Sequence, residues 1–393
     1  MTRRLYYDDS YLTEFRAAVL DTNEDRRRVV LQESAFYPSS GGQPFDLGSI
    51  NGIPITEVQD IGDQVVHLLA SPLAGETADC RIDWQRRFDH MQQHTGQHLL
   101  SAVIVELFGI STVAFHMGAE SSSIELGTPT FDLAQIREAG QRANEVVFEN
   151  RPVRISYSHA SEASDLRKPS EREGTLRIVE IAGLDRSACG GTHVRHTGEI
   201  GPIAIRKTEK LRGNTRLEFL CGSRAVQRSR ADYEQLNAVA QVFSSTLDDA
   251  PGLAAASISR LQDSEKARQK LAGEVAEARG RQLFQDTSPG ADGLRRYWNQ
   301  QASGSFSEEI RREAQSFTAQ DKAIYLATSE DPAAVLLAVS PGAGLAAGEW
   351  LKPRLTQAGG KGGGNAKMAQ GSLPGADLLN AIAEGLGFVS PKV

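Results

Sequence analysis

Cysteine is scarce in this chain of 393 residues: Cys80, Cys189 and Cys221 are the only three. An odd, sparse set excludes a disulfide scaffold and predicts a reducing, cytoplasmic setting. Aromatic residues are few as well, at 6%. No apolar run approaches the roughly 18 residues of a membrane span, so no membrane partner is expected. The opening MTRRLYYDDSYL has basic residues but no apolar stretch follows them, which argues against a signal peptide. Basic charge is not in excess, because 43 Lys and Arg stand against 50 Asp and Glu, a net charge of −7. That excludes a globally basic coat for nucleic acid but leaves room for local patches. What is present is ordinary globular material, 40% hydrophobic and 24% charged, with chain enough for roughly two to four domains.

The pattern predicts an α+β multidomain protein. Residues 1–82 read as short strands, at Val29–Gln32, Ile53–Val58 and Val65–Leu69, and imply a small β-barrel or sandwich. Tyr37–Gly48, YPSSGGQPFDLG, is dense in Gly and Pro and predicts a rigid loop. Residues 83–230 alternate helix and strand, as in a two-layer α/β domain. A helix fits Phe88–Phe108, with Leu99, Leu100, Val103, Ile104 and Leu107 as its apolar stripe and Gly109 as its stop. A second helix fits Leu133–Glu149. Strands fit Ser123–Leu126, Val153–Tyr157, Leu176–Glu180, Ile200–Lys207 and Arg216–Leu220. Residues 231–285 read as a helical arm split by Pro251, with Glu265 and Arg268 interrupting a seam of Ile258, Leu261, Leu271 and Val275. Residues 286–393 read as a small C-terminal α/β domain. Its strands fit Ala323–Thr328 and Val335–Val339, and its helices Leu345–Ala358 and Ala376–Leu386. Between those helices lies GGKGGGNAKMAQG, Gly359–Gly371.

Three of the eight histidines, His90, His94 and His98, recur every four residues in one predicted helix and so share a face. Far downstream, Cys189-Gly-Gly-Thr-His193 joins a thiol to an imidazole across a tight turn. Each spacing alone is a weak signal. Together, His94/His98 and Cys189/His193 are a nitrogen and sulfur donor set of the zinc type. HExxH is absent, since Thr95-Gly96-Gln97 separates the two histidines, which disfavours a zinc protease.

Four stretches together resemble the editing domain of alanyl-tRNA synthetase and its free-standing relatives, the AlaX proteins. They are YPSSGGQPFDLG, HTGQHLL, DLRKPSEREG (Asp165–Gly174) with ACGGTHVRHTGEIG, and KTEKLRGNTRLEFLCG. GGKGGGNAKMAQG resembles the DHHA1 module that ends the long synthetases. Nothing resembles the ATP-dependent charging domain, so the long form of AlaX, acting in trans, is expected. The resemblance makes 1–82 the β-barrel domain, 83–230 a zinc-containing editing domain, 231–285 a linker arm and 286–393 a DHHA1-like domain.

The resemblance implies a deacylase that hydrolyses Ser-tRNA(Ala), with Gly-tRNA(Ala) as a further substrate, with Zn²⁺ held by His94, His98, Cys189 and His193. His193 is the least secure ligand, and three or four protein ligands both remain open. Thr112 matches the threonine that reads the serine hydroxyl, and Ala114 stands where relatives often carry serine. Gln97 and His116 are implied as water-positioning groups, and the loop with Gly41, Gly42 and Gln43 as a substrate-selection element. His90 falls outside the motif and reads as a helix-face residue within reach of RNA; His159 and His196 read as surface. Residues 201–230 carry eight Lys/Arg against Glu209 and Glu218. Arg206, Lys207, Lys210, Arg212 and Arg216 are therefore expected on a tRNA track. Lys361 and Lys367 are expected on a second, where glycine lets backbone N–H groups approach phosphate. No GK[ST] follows the glycines, so a P-loop is not supported. Homodimerisation is the competing role for the C-terminal region. A non-catalytic tRNA-binding module with a structural zinc, and a hydrolase of another aminoacyl ester, are the competing functions.

Overall fold

A computed structural model describes residues 1–163, 165–169 and 173–388. The chain divides into two units, Met1–Val239 and Ala240–Val393. In the first, six strands close into a barrel in the order Glu14–Thr22, Arg28–Leu31, Gln64–Leu69, Ile53–Ile61, Gly48–Ile50 and Thr77–Ile82. The last pairs antiparallel with the first and completes the ring. Strand alternation fills the interior: in Thr77–Ile82, Ala78, Cys80 and Ile82 point inward while the residues between them face out. Val29, Leu31, Phe36, Ile50 and Val65 complete that core.

The helix α1, Trp84–Phe108, leaves the barrel directly. Asp83 caps its start by accepting from the Arg86 N–H at 3.1 Å, and Gly109 ends it at a left-handed φ of 66°. It begins four residues before the predicted Phe88. Nearly every side chain from His90 to Ile104 is buried, polar ones included. Burying a polar group costs free energy unless it is paired. Partners are present for Gln92, which donates to the Glu199 carbonyl, and for Gln93, which donates to that of Cys221. Gly96 has no room for a side chain: a Cβ there would lie 2.2 Å from the Cys221 sulfur.

Two sheets and the helix α2, Leu133–Phe148, surround α1. One is antiparallel, in the order Ile203–Lys210, Thr215–Cys221, Ser122–Leu126, Thr112–Met117. The other runs Val153–His159, Thr175–Ile181, Asp185–Ala188. Leu99, Leu100, Val103 and Ile104 of the predicted stripe pack with Ile124, Val146, Leu217 and Phe219. The helix α3, Gly222–Val242, follows the last strand without a break.

In the second unit, α4 spans Ala250–Asp286. Pro251 does not split a helix as expected. It sits in the first turn of α4, where its missing N–H has no partner to lose, and the break falls at 243–249. Glycines at 273 and 280 let α5, Glu308–Thr318, approach closely; a Cβ on Gly280 would lie 2.3 Å from the Glu313 carbonyl. Ile258, Leu261, Leu271 and Val275 are all exposed. A five-stranded sheet runs Arg295–Ser303, Ala323–Asp331, Ala333–Val339, Met368–Ser372, Lys361–Gly364. Phe317 and Ala314 of α5 pack with Tyr325 in one core. The helices α6, Ala347–Gln357, and α7, Asp377–Gly385, contribute Leu351, Leu355, Leu379 and Ile382 to another. The glycine-rich stretch is an ordered β-hairpin rather than a flexible linker. Gly362 and Gly371 are demanded by packing, since a Cβ on either would meet Leu355 within 2.5 Å.

Candidate metal centre and substrate cavity

One donor atom each from His94, His98, Cys189 and His193 lies within 4.8 Å of the other three. Two come from one face of α1, four residues apart. The others come from the turn after strand Asp185–Ala188. The Cys189 sulfur is 3.4 Å from His94 Nε2 and 3.4 Å from His193 Nε2. A tetrahedral zinc-type ion, about 2.0 Å from nitrogen and 2.3 Å from sulfur, sets such neighbours roughly 3.5 Å apart.

The outward nitrogen of each ring has a partner of its own. His94 Nδ1 meets Gln43 Oε1 at 2.8 Å, His98 Nδ1 meets Asp185 Oδ2 at 3.0 Å, and His193 Nδ1 meets the Thr95 hydroxyl at 3.1 Å. Three Nε2 atoms are thereby turned toward one sulfur, the arrangement in which second partners fix the tautomer of metal-binding imidazoles. Gly191 is part of the cradle, because a Cβ there would sit 2.2 Å from the His94 ring. The donor set fits a borderline-soft divalent ion.

Electrostatics favour a thiolate at Cys189, while His98 holds a proton that a metal ion on its Nε2 would have to displace. Burial alone would raise the Cys189 thiol, but its contacts with His94 and His193, each at 3.4 Å, override it and hold it well below the ordinary value, toward thiolate. Burial and repulsion from His94 push His193 down to about 3, which keeps it neutral. Burial also works against the charged form of His98, but its bond to Asp185 prevails and raises it to about 9. Asp185, held low by His98 and Arg167 against its own burial, is ionised.

A cavity of ≈ 730 Å³ opens beside this cluster. His94, His98 and Cys189 border it, while His193 does not. Thr112 and Gln97 also border it and share one contact. The Thr112 hydroxyl donates to Ser101 Oγ at 2.7 Å, and Gln97 Nε2 donates to the same atom at 2.9 Å. Ala114 lies on the same wall. His116, next but one along that strand, is exposed and outside the lining.

The loop residues divide. Gly41 borders the cavity, Gly42 adopts a φ of +85° with its Cα facing Phe115, and Gln43 is buried behind His94. Gln43 also donates to Thr192 at 2.8 Å, which ties the loop to the Cys189–His193 turn. His90 is only 2% exposed and does not border the cavity, so the expectation that it reaches RNA is not met. Burial and the charge of Arg86 push it down to about 3, and it stays neutral. His159 and His196 are exposed, as expected of surface residues. Of the Asp165–Gly174 stretch, Arg167, Lys168, Pro169 and Glu173 border the cavity; residues 170–172 lie outside the described residues, as do 389–393 of the C-terminal domain.

The basic run is less basic in three dimensions. Arg206 pairs with Asp232, Lys207 with Glu218 at 3.4 Å, and Arg216 with Glu125 at 3.1 Å. Arg224, Arg228 and Arg230 pair with Asp89, Asp232 and Glu234. Lys210 and Arg212, at the hairpin between the two strands, are exposed and in no ion pair among the described residues. Lys361 and Lys367 are exposed on the C-terminal hairpin.

Sequence reading missed Asp185, Thr95, Ser101 and the bracing role of Gln43. Only Thr95 carried a local signal, lying inside the His94–His98 segment. Gln43 and Asp185 act on rings 51 and 87 residues away, and Ser101 meets Thr112 across 11.

Residues 176–218 match the Threonyl and Alanyl tRNA synthetase second additional domain, and residues 293–386 match the DHHA1 domain. The alanine–tRNA ligase of Pyrococcus furiosus is 32% identical over 394 residues, 95% of this chain but 42% of that protein. The chain thus spans less than half of the ligases it matches. The alanyl-tRNA editing protein Aarsd1-B of Xenopus laevis is 36% identical over 249 residues, covering 62% of this chain and 60% of that one. The alanyl-tRNA editing protein AlaX-L of Pyrococcus horikoshii is 31% identical over 400 residues, 95% of both chains. With a relative of this identity matched along nearly its whole length, the chain belongs to the long-form AlaX family of alanyl-tRNA editing proteins.

Proposed function

We propose that the chain is an aminoacyl-tRNA deacylase that acts in trans on tRNA(Ala) carrying serine or glycine. The observation that carries this reading is a polar cavity bordered at once by His94, His98 and Cys189 and by the Thr112 hydroxyl. The names of the relatives support the alanyl-tRNA part of it.

The selectivity argument is physical. A pocket that accepts alanine rejects serine, which only adds a hydroxyl, by roughly a hundredfold. A site built to hydrogen-bond that hydroxyl can reject the analogue lacking it by roughly 10⁴–10⁵. Thr112 would read the hydroxyl, exchanging its bond to Ser101 for one to substrate. Gln97, on the same serine, would orient the attacking water. His116, being exposed, has no part in this scheme. Gly41 and Gly42 would shape the entrance, and Gln43 would act indirectly by holding His94.

His94, His98, Cys189 and His193 would hold zinc. When bound, the ion supplies a Lewis acid for the ester carbonyl or for water. Asp185, Thr95 and Gln43 keep the three imidazoles in the tautomer that leaves Nε2 free. Lys210 and Arg212, with Lys361 and Lys367, would contact tRNA phosphates. Arg206, Lys207 and Arg216 would add less, each being already paired. Residues 286–393 are read as an RNA-binding domain, with pairing of two copies as the competing use.

Four protein donors are also what a structural zinc site has, so a non-catalytic tRNA-binding module is the second reading. Turnover separates the two. Purified protein should deacylate Ser-tRNA(Ala) and spare Ala-tRNA(Ala). A chelator or Cys189→Ala should remove metal and activity together, and Thr112→Val should cut serine-over-alanine discrimination by about tenfold. Metal and tRNA binding without release of serine or glycine would establish the non-catalytic reading.

A further inference from the structure

Arg177, on strand Thr175–Ile181, borders the cavity but is 8% exposed. Its Nε donates to the Tyr7 carbonyl at 3.0 Å. Its Nη1 donates to the carbonyls of Cys189, at 2.6 Å, and Gly191, at 3.0 Å. Its Nη2 is buried and meets no acceptor in full hydrogen-bond geometry; the Tyr157 hydroxyl, from the residue opposite on the neighbouring strand, is the polar group beside the guanidinium. Other deeply placed arginines of this unit are neutralised: Arg87 by Asp46, Arg167 by Asp185 and Arg224 by Asp89. Arg177 is in no ion pair among the described residues, and its partners are neutral carbonyls. A buried cation missing both a counter-charge and a hydrogen bond is costly to the fold. An orphaned donor on a residue that lines a cavity calls for an explanation, and a bound ligand is one that would complete it.

We infer that Arg177 forms an anion subsite that receives the phosphodiester on the 5′ side of the terminal nucleoside of the aminoacylated RNA. The inference rests on the reading of the chain as an aminoacyl-tRNA deacylase and assigns that substrate's register in the cavity. An aminoacyl ester brings an ammonium, which a guanidinium repels, and an ester and a sugar, which are neutral. The phosphodiester is the one anion near the reacting end. Arg177 holds the turn that carries Cys189, so an anion on Nη2 lies at a fixed offset from the donor cluster. The ester and the 5′-phosphate are separated by one ribose. The Tyr7 ring, 5.5 Å from the guanidinium carbon, and Lys168 border the same cavity. Arg177 is thus a positioning residue: it fixes where the ester sits and does not touch it.

The test compares two small substrates on the intact metal-loaded protein: the seryl ester of adenosine, and the seryl ester of cytidylyl-adenosine, which adds one phosphodiester. The dinucleotide ester should have the higher kcat/KM, by roughly 10- to 100-fold, mainly through KM. Arg177→Lys should collapse that ratio toward one. Any common loss on both esters reports the brace on the Cys189 turn and cancels in the ratio. An uncharged methylphosphonate at the same linkage should reproduce the collapse on the unmutated protein, which makes the result independent of how the variant folds. Equal efficiency on both esters, or a ratio that survives the methylphosphonate, overturns the subsite while Ser-tRNA(Ala) turnover leaves the deacylase reading standing. Absence of hydrolysis of every aminoacyl ester overturns that reading and the subsite with it.

Discussion

Asp185 shows how much of the candidate centre depends on residues that donate nothing to it. Its carboxylate is fully buried and accepts from His98 Nδ1 at 3.0 Å, Arg167 Nε at 2.7 Å and Ser187 Oγ at 3.0 Å. Asparagine has nearly the same shape, but it exchanges one charged oxygen for an NH₂ that cannot accept. The one remaining oxygen can serve His98 or Arg167 but not both, and neither keeps a charged partner. Asp185→Asn should weaken metal binding by roughly 10- to 100-fold in a chelator-competition titration, with all four donors intact. Unchanged affinity would mean that Asp185 serves Arg167 alone. At this scale the sequence is half legible. The pairs His94/His98 and Cys189/His193 stand out because each is local. Gln43 and Asp185 do not, because 51 and 87 residues separate them from the rings they hold.

Elements were legible where they are apolar and hidden where they are not. Arg28–Leu31, Ile53–Ile61 and Gln64–Leu69 have runs of Val, Ile and Leu; Glu14–Thr22 buries one side chain in nine, and Gly48–Ile50 is three residues long. In α1 the apolar stripe announced the helix, but its polar half is buried against the rest of the unit, which no amphipathic pattern shows.

The barrel strand Gln64–Leu69 carries a consequence for pH. His67 is fully buried there, with Nε2 2.8 Å from the Ser34 hydroxyl and Nδ1 3.2 Å from the Val29 carbonyl. A carbonyl only accepts, so Nδ1 carries the proton and the ring is neutral. Burial pushes its pKa down from 6.5 to about 4. Between those values the unfolded chain binds a proton that the folded barrel does not. Stability is therefore complete above pH 6.5 and falls as pH drops toward 4, by about 3 kcal/mol from this residue. His90 and His193, also held low, add to the same trend. In urea unfolding followed from pH 7 to 4.5, His67→Gln should flatten the decline. A decline equally steep in the variant would show that His67 does not drive it.

Across the whole molecule, charge is where linear reading departs furthest from the fold. The window 201–230 has an excess of six positive charges in sequence. Most of them meet carboxylates from outside it: Asp89, Glu125, Asp232 and Glu234. A neutralised arginine gives phosphate little, because it must leave one anion to meet another. Lys210 and Arg212, outside any such pair among the described residues, have no such cost to meet. The salt dependence of tRNA binding distinguishes the two kinds of cation, since each phosphate contact contributes roughly 0.7–0.9 to the slope of log affinity against log salt. The double variant Lys210→Gln with Arg212→Gln should flatten that slope by about 1.5 and weaken binding alike for charged and uncharged tRNA. Arg206→Gln with Lys207→Gln, two cations removed from the same sheet, should change the slope by less than half as much. Equal changes would mean that the ion pairs open on contact with RNA, and that the summed charge of the sequence, not its pairing in the fold, governs the interface.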